Sequence, residues 1–479
     1  MPHWTGDLPA PPATIHLMGI CGTAMGAFAG MLKDAGYEVT GSDKGIYPPM
    51  SDYLASLGIT PREGFVAENL DHAPDLVVVG NVIRAVYDEA VALRDRDLPY
   101  TSMPELLGRL YLQPAHSVVV SGTHGKTTTT SIMAHLLDAA GLEPGFLIGG
   151  IAGNFERTAR AGAGAYFVIE GDEYDTAYFD KRPKFVHYAP NTAILTSIEF
   201  DHADIYDDLA AIEASFRTLI DSLPEDGTLV ARWDDPVIRR VCVDAPCKVL
   251  RYGQHQPWDG RIESVDTATG DMTFSVLHEG EVVGTFQSCM VGVHNLYNQV
   301  AAVAAAMSLG LSAETLAEGF ASFAGIRRRQ EILGSPGDVT VIDDFAHHPT
   351  AVHLTLQALR QRFGGRRLWA VWEPRSATSR RNVFQEAYAD AFSEADRVII
   401  AQPYDTSGIP PEERFSSDRL VQDLCSRGVA ASTFDTPADI GAVLAAQAQP
   451  HDVIAILSNG AFGGLHTSLV KALQARFMS

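Results

Sequence analysis

The segment SVVVSGTHGKTTTT, at residues 117–130, has the residue types and spacing of a phosphate-binding loop. An apolar strand runs into a turn with Gly122 and Gly125, and residues with helical spacing follow, so backbone N–H groups can be directed at a phosphate. Lys126 can reach the β- and γ-phosphates of a nucleotide, and the Thr127 hydroxyl can hold Mg²⁺. The strict pattern has another glycine where Val120 stands, so we expect a shorter variant. The alternative is a glycine-rich turn that contains a lysine by chance.

Two side chains further along the chain are candidate ligands of a metal ion at that phosphate. Glu170 ends the apolar run AYFVIE, and His202 follows the run TAILTSIEF. Because the carboxyl ends of parallel strands share one edge of a sheet with the phosphate loop, we expect both side chains near Thr127. Mg²⁺ prefers oxygen ligands, so a histidine is a less usual ligand for it. The alternative for Glu170 is a solvated carboxylate at a strand end, and the alternative for His202 is a histidine that caps a loop. Several acidic neighbours add negative potential, some of them as solvated loop charges: Asp172, Glu173, Asp175, Asp201 and Asp204.

A second glycine-rich turn, GICGTAMG at residues 19–26, follows the first apolar run of the chain. It is similar to a dinucleotide-binding turn, but Cys21 replaces the central glycine of that pattern. The helix that follows offers its N-terminus to a diphosphate. A tight turn without a ligand is the alternative. The substrate-binding candidates in this part of the chain are Gly19, Cys21, Gly22, Thr23, Asp43 and Asn81.

Basic and polar residues in the last third of the chain are candidates for binding anions and hydroxyl groups. Three consecutive arginines at 327–329 stand where the central part of the chain should end, and in so acidic a chain they indicate an anion site or a solvated basic patch. In DDFAHHPT (343–350), a carboxylate of Asp343 or Asp344 can bind ribose hydroxyls, and His347 and His348 can face the nucleotide. Arg375 in WEPRS is a candidate carboxylate clamp, and Asn459 lies in the further substrate loop SNGAFGG.

Length, composition and charge limit the class of protein. The chain has 479 residues, 46% hydrophobic and 20% charged, which suits a globular protein of about three domains. With 36 basic and 59 acidic residues the formal net charge is −23, which disfavours binding to nucleic acid or to an anionic membrane. The five scattered cysteines indicate reduced thiols. Since neither a signal peptide nor an apolar run of about 18 residues is present, we expect a cytoplasmic protein.

Alternation of apolar runs with helical stretches predicts an α/β protein with doubly wound parallel sheets. We expect three domains: a Rossmann-like domain at 1–113, a central P-loop ATPase-type domain at 114–330, and a second Rossmann-like domain at 331–479. The alternating pattern within residues 260–292 predicts antiparallel strands added to the central domain, and HNLYNQVAAVAAAMSLG (294–310) predicts a helix.

Over residues 14 to 470, the chain resembles the Mur ligases, the ATP-dependent amide-forming enzymes of peptidoglycan synthesis. The motifs GTHGKTTTT, DHAD and HNLYNQ, and the arginine run before the third domain, stand in the family's order. The resemblance implies that the first domain binds UDP-N-acetylmuramate, the central domain binds ATP and Mg²⁺, and the third presents an amino acid or peptide. The muramyl carboxylate is expected to form an acyl phosphate, which the incoming amine attacks.

The residues expected at these sites follow from the motifs and the resemblance together. The nucleotide site comprises Gly122, Thr123, His124, Gly125, Lys126, Thr127, Thr128, Asn295, Asn298, Arg329 and Asp344, with the asparagines near the adenine. The residues expected to act in catalysis are Lys126, His202, Arg329 and His347. The metal ligands are Thr127, Glu170 and His202. Arg375 and Asn459 complete the substrate-binding set.

Within the family, the stretches YPPMS, DEYDTAYFDKRPKF, EFDHADIY and EPRS favour a branch that recycles a murein tripeptide over the branch that adds L-alanine. An L-alanine-adding enzyme remains the main alternative. An NAD-dependent dehydrogenase, based on the Gly19 turn, and a non-catalytic nucleotide-binding protein are alternatives from other classes. The sequence leaves open whether the protein is a monomer or a dimer.

Overall fold

The computed structural model describes residue 4 and residues 6–201, 205–267 and 269–477. His202, predicted as a metal ligand and catalytic residue, lies outside these residues, as does Asp204, so their roles stay predictions. The described strands form a small hairpin and three larger sheets, which occupy residues 14–102, 116–288 and 331–457.

The N-terminal sheet is parallel, with strand order β3-β2-β1-β4-β5. Its elements are β1 (Thr14–Met18), α1 (Thr23–Asp34), β2 (Glu38–Asp43), α2 (Met50–Ser56), β3 (Arg62–Glu63), β4 (Leu76–Val79), α3 (Asp88–Asp95), β5 (Tyr100–Ser102) and α4 (Met103–Leu107). All four residues of β4 are fully buried, as expected of an apolar strand covered on both faces. The strand order reverses at β1, so the glycine-rich turn after β1 lies at the crevice where such sheets bind ligands.

The central sheet has ten strands, in the order β17-β16-β15-β14-β13-β12-β6-β9-β7-β8. Its elements begin with β6 (His116–Ser121), α5 (Lys126–Ala139), β7 (Gly145–Leu147), β8 (Ala159–Arg160), β9 (Tyr166–Gly171), the hairpin β10 (Asp175–Ala177) and β11 (Asp180–Pro183), β12 (Thr192–Leu195) and α6 (Leu209–Asp221). They continue with β13 (Thr228–Arg232), α7 (Pro236–Val241), β14 (Lys248–Tyr252), β15 (Trp258–Val265), β16 (Met272–His278), β17 (Glu281–Ser288), α8 (Val293–Ser308) and α9 (Ala313–Ser322). Strand β6 pairs in parallel with β9 and β12, so these three strands end at one edge.

The C-terminal sheet has the order β18-β19-β23-β20-β21-β22, parallel except for β18. Its elements are β18 (Glu331–Gly334), β19 (Thr340–Asp344), α10 (Pro349–Phe363), β20 (Leu368–Trp372), α11 (Ala387–Ala391), β21 (Arg397–Ala401), α12 (Ser417–Ser426), β22 (Ala430–Phe434), α13 (Pro437–Gln447), β23 (Val453–Leu457) and α14 (Leu465–Phe477). The order reverses between β23 and β20, so the loops after β19, β20 and β23 gather at the carboxyl edge of this sheet.

The predicted fold class is confirmed: three α/β units with antiparallel strands added to the central sheet. The predicted antiparallel stretch is β15 to β17, and the predicted helix at 294–310 is α8. Each sheet lies inside one predicted domain, while the domain boundaries themselves stay a prediction. Among the described residues, no helix is both long enough and apolar enough to cross a membrane.

Candidate active site

The phosphate loop lies between β6 and α5 and requires glycine at two positions. Gly122 has φ of 138°, and a Cβ there would lie 2.2 Å from Thr196 Oγ1. Gly125 has φ of 84°, and a Cβ there would lie 2.5 Å from Asn298 Oδ1. The N-cap residue of α5 is Gly125, which has no side chain to cap the helix. The N–H groups of the first turn are therefore suited to bind a phosphate, as the sequence predicts.

Lys126 is the first residue of α5, and its ammonium group is held inside the loop. Its Nζ donates to Gly122 O at 2.6 Å and lies 3.0 Å from Glu173 Oε2. Burial lowers the pKa of Lys126, but the carboxylates of Glu173 and Asp172 outweigh that effect, so the pKa is raised and the lysine is charged. Glu173 is only 3% exposed. The sequence contains no signal that distinguishes Glu173 from its acidic neighbours, since its importance comes from its contact with Lys126.

Two of the three predicted metal ligands are adjacent. Thr127 Oγ1 donates to Glu170 Oε2 at 3.0 Å, and the other oxygen of Glu170 accepts from Gly149 N. Burial raises the pKa of Glu170, and the negative charge of Asp172 adds to this effect. A hydroxyl and a desolvated carboxylate beside a phosphate loop match the ligands that Mg²⁺ prefers. These residues therefore fit a divalent cation, which would compensate the buried negative charge.

The remaining residues of the loop are positioned by the segment after β12. Thr123 N donates to Ser197 O at 2.9 Å, and His124 N donates to Ser197 Oγ at 2.9 Å. The His124 side chain lies beside Glu199, and Thr128 is buried within α5. These hydrogen bonds anchor the loop to the segment after β12.

The two asparagines predicted near the adenine lie in the first turns of α8. Both are buried; Asn295 Nδ2 donates to Val291 O at 2.9 Å, and Asn298 Nδ2 donates to Asn295 Oδ1 at 3.4 Å. Asn298 also packs against Gly125 of the phosphate loop. Asn298 therefore supports the phosphate loop, and the contact of both asparagines with adenine stays a prediction.

The arginine run at 327–329 is divided between different roles. Arg327 is exposed. Arg328 Nε lies 3.3 Å from Asp343 Oδ2, and its Nη2 donates to Gly460 O at 2.8 Å, so this arginine connects the run to the C-terminal domain. The half-buried Arg329 has its guanidinium carbon 4.7 Å from the centre of the Phe345 ring, and burial lowers its pKa. The three arginines therefore do not share one environment, and the anion site, with Arg329 as its named residue, stays a prediction.

The end of β19 and the residues that follow it contact the end of the central domain. Asp344 Oδ2 accepts from Gln330 N at 2.8 Å, and Asp344 Oδ1 accepts from Ala346 N at 2.8 Å. The His347 Nδ1 atom lies 3.0 Å from Phe345 O. Asp344 therefore orders the turn between the two domains, and the ribose contact of Asp344 and the catalytic role of His347 stay predictions.

In the N-terminal domain, Asp43 organises the glycine-rich turn. Its Oδ2 accepts from Cys21 N at 2.9 Å and its Oδ1 accepts from Gly45 N at 2.9 Å. Burial and the charge of Asp43 raise the pKa of the Cys21 thiol to about 11, so the thiol is protonated. Gly19 has φ of 87°, which favours glycine. The other candidates here are placed around this turn: Gly22 as the N-cap of α1, Thr23 as its first residue, and Asn81 exposed after β4.

A cluster of polar and aromatic side chains at the carboxyl edge of the C-terminal sheet contains Arg375. Its guanidinium carbon lies 3.7 Å from the centre of the Tyr404 ring, and its Nη1 lies 3.3 Å from Glu373 Oε1. A Cβ on Gly460 would lie 2.1 Å from Arg375 Nε, so a larger residue there would displace the Arg375 side chain. Asn459 Oδ1 is buried and has no hydrogen-bond partner among the described residues. The structure thus brings Arg375 and the loop of Asn459 together, and their contact with a substrate stays a prediction.

The chain matches all three domains that define one ligase family. Residues 14–113 match the Mur ligase family catalytic domain, residues 120–306 the Mur ligase middle domain, and residues 328–460 the Mur ligase glutamate ligase domain. Together with the phosphate loop and the three sheets, these matches show that the chain belongs to the Mur ligase family.

Individual relatives are similar over nearly the full chain. The UDP-N-acetylmuramate–L-alanyl-γ-D-glutamyl-meso-2,6-diaminoheptandioate ligase of Escherichia coli is 40% identical, over 96% of this chain and 98% of its own length. The crystal structure of a murein peptide ligase from Psychrobacter arcticus has a TM-score of 0.71 at 36% identity, covering 96% of this chain and 99% of the other. The UDP-N-acetylmuramate–L-alanine ligase of Salinibacter ruber is 36% identical over 83% of this chain and 82% of its own length.

Proposed function

We propose that this protein is an ATP-dependent ligase that joins the amino group of L-alanyl-γ-D-glutamyl-meso-diaminopimelate to UDP-N-acetylmuramate. The observation that carries the proposal is the 40% identity, over nearly the whole chain, to the Escherichia coli ligase of that specificity. The phosphate loop, the paired Thr127 and Glu170, and the cluster around Arg375 in the C-terminal domain support it. Because ATP and a nucleotide sugar are the substrates, the cytoplasm is the expected compartment.

The residues described suit a reaction through an acyl phosphate. Lys126 and Arg329 would neutralise charge on the phosphoryl group as it moves to the muramyl carboxylate, and such a transfer depends mainly on positioning and charge. Mg²⁺ held by Thr127 and Glu170 would supply further positive charge. Closure of the C-terminal domain over the nucleotide would exclude water, which would otherwise hydrolyse the acyl phosphate. A peptide α-amino group has a pKa near ~8, so no strong base is required to deprotonate it.

The test is phosphate release from ATP with Mg²⁺ and UDP-N-acetylmuramate, comparing the tripeptide with L-alanine. We expect release with the tripeptide and none above background with alanine. Release driven by alanine alone would assign the protein to the alanine-adding branch instead. Release with neither amine would contradict ligase activity and favour a nucleotide-binding protein without catalysis.

Arg375 is the residue that we expect to bind a carboxylate of the peptide. The Arg375→Ala change should raise the KM for the tripeptide about 10–100-fold, because a charge-assisted hydrogen bond contributes roughly 1.5–3 kcal/mol. The KM for ATP should stay within about twofold, since the phosphate loop belongs to another domain. Steady-state kinetics with each substrate varied in turn measures both values.

Arg397→Ala is the matched control, because Arg397 lies at the start of β21, on the opposite edge of the same sheet. An unchanged tripeptide KM in Arg375→Ala would show that Arg375 does not bind the peptide. Arg375→Lys separates charge from geometry, since lysine cannot reproduce the planar contact with Tyr404.

A further inference from the structure

Three side chains that meet between the central and C-terminal domains form a compact group. His124 comes from the phosphate loop, Glu199 from the segment after β12, and His348 from the residue that precedes α10. His124 Nε2 lies 3.8 Å from Glu199 Oε1, and His348 Nδ1 lies 3.7 Å from Glu199 Oε2. One nitrogen of each imidazole and one Glu199 oxygen all lie within 4.8 Å of one another.

The imidazole groups in this cluster have unused hydrogen-bonding capacity. The Nε2 atoms of His124 and His348 are both buried and have no partner among the described residues. His348 is 5% exposed, and its Nδ1 accepts only a long bond of 3.3 Å from Thr350 N. A buried polar atom without a partner is unfavourable, so each of these two imidazoles retains a nitrogen that a ligand could satisfy.

Both imidazoles have the protonation state that a metal requires. Burial lowers the pKa of His124 to about 3. Burial also lowers the pKa of His348. Both rings are therefore neutral at pH 7. Glu199 is partly exposed and accepts from Thr350 Oγ1 at 2.7 Å. Two neutral imidazoles and a carboxylate therefore face one another.

This donor set favours a transition metal over Mg²⁺. Imidazole nitrogen with one carboxylate oxygen is typical of Zn²⁺ and similar ions, whereas Mg²⁺ prefers oxygen ligands alone. Tetrahedral ligands about 2.0–2.1 Å from Zn²⁺ are roughly 3.4 Å apart. The separations from Glu199 are 3.7 and 3.8 Å, and all three ligand atoms lie within 4.8 Å of one another, so side-chain rotation would bring them to that value.

We propose that His124, Glu199 and His348 form a binding site for a transition-metal ion of the Zn²⁺ class, separate from the predicted Mg²⁺ ligands Thr127 and Glu170. Two of its ligands belong to the central domain and one to the C-terminal domain. A bound ion therefore stabilises the arrangement in which these two domains are in contact. The inference does not depend on the ligase activity or on the identity of the substrates.

The test uses the full chain, freed of metal by chelation and kept in excess Mg²⁺, titrated with Co²⁺ as a spectroscopic substitute for Zn²⁺. We expect one Co²⁺ per chain, with the strong visible absorption of tetrahedral coordination, and displacement by Zn²⁺. His348→Gln should weaken Co²⁺ binding more than about 100-fold, beyond the loss typical for a residue outside the ligand set. Glu199→Gln provides a second ligand variant, and circular dichroism verifies that each variant is folded.

Two controls locate the ion. His353→Gln, on the same helix α10, should leave the titration unchanged. Glu170→Gln should also keep the tetrahedral spectrum, because it alters only the predicted Mg²⁺ site. The proposal is overturned if Co²⁺ shows no stoichiometric binding, if His348→Gln and Glu199→Gln bind it like the parent protein, or if Glu170→Gln abolishes the spectrum.

Discussion

The Lys126→Met variant is expected to lose about 10²–10³-fold in kcat, the range seen when one group that stabilises transition-state charge is removed. Lys126 is charged and lies in the loop predicted to hold the β- and γ-phosphates. Methionine keeps the length and apolar stem of the side chain but removes the ammonium group. Phosphate release under saturating ATP, tripeptide and UDP-N-acetylmuramate measures the change.

Loss of folding must be separated from loss of chemistry in this experiment. Lys126→Met removes the ammonium that faces the buried Glu173, and an uncompensated buried charge is strongly destabilising. The double variant Lys126→Met/Glu173→Gln removes both charges, so it should regain thermal stability while remaining inactive. Lys181→Met alters an exposed lysine on β11 and should keep full activity. Near-normal kcat in a folded Lys126→Met protein would contradict the assignment of the loop.

The second large effect is expected from Glu170→Gln, which should raise the Mg²⁺ concentration for half-maximal activity at least about 10-fold. It should also lower kcat by roughly 100-fold, since the charge that positions the cation is lost. Glutamine retains the size of the side chain and can still accept from Thr127 Oγ1. Activity measured across a Mg²⁺ titration, at constant ATP, separates the two effects.

The Glu170→Gln variant should lose activity but should not lose thermal stability. Because burial raises the pKa of Glu170, the fold disfavours its charged form, and a neutral glutamine removes that unfavourable contribution at neutral pH. The melting temperature without Mg²⁺ should therefore stay the same or rise, as is common for residues selected for function. Glu225→Gln, at an exposed position, is the control. A parental Mg²⁺ dependence in Glu170→Gln would exclude Glu170 as a ligand.

Much of the fold could be predicted because its signals are local. Apolar runs such as LVVV at β4 and TAIL at β12 are fully or almost fully buried, and a parallel sheet needs such runs between helices. The loop from Gly122 to Thr127 is contiguous in sequence, and its glycines adopt conformations that other residues disfavour. The position of Glu170 could also be predicted, since parallel strands must end at the same edge.

Contacts between distant segments could not be predicted in the same way. Nothing in the residue types of 327–329 shows that Arg328 pairs with Asp343 while Arg329 lies against Phe345. The role of Asp43 in fixing the turn of Cys21 likewise depends on how β1 and β2 are paired.

The sequence by itself determined the class of protein, the order of its three α/β units and the phosphate loop, because periodicity and turn chemistry act over a few neighbouring residues. Only the tertiary structure decided which carboxylate neutralises Lys126 and which groups meet between domains. Glu173 is 47 residues from Lys126 along the chain, and the cluster of His124, Glu199 and His348 joins three separate segments. Such encounters depend on strand order and domain packing, which bring side chains from distant parts of the chain within a few ångströms.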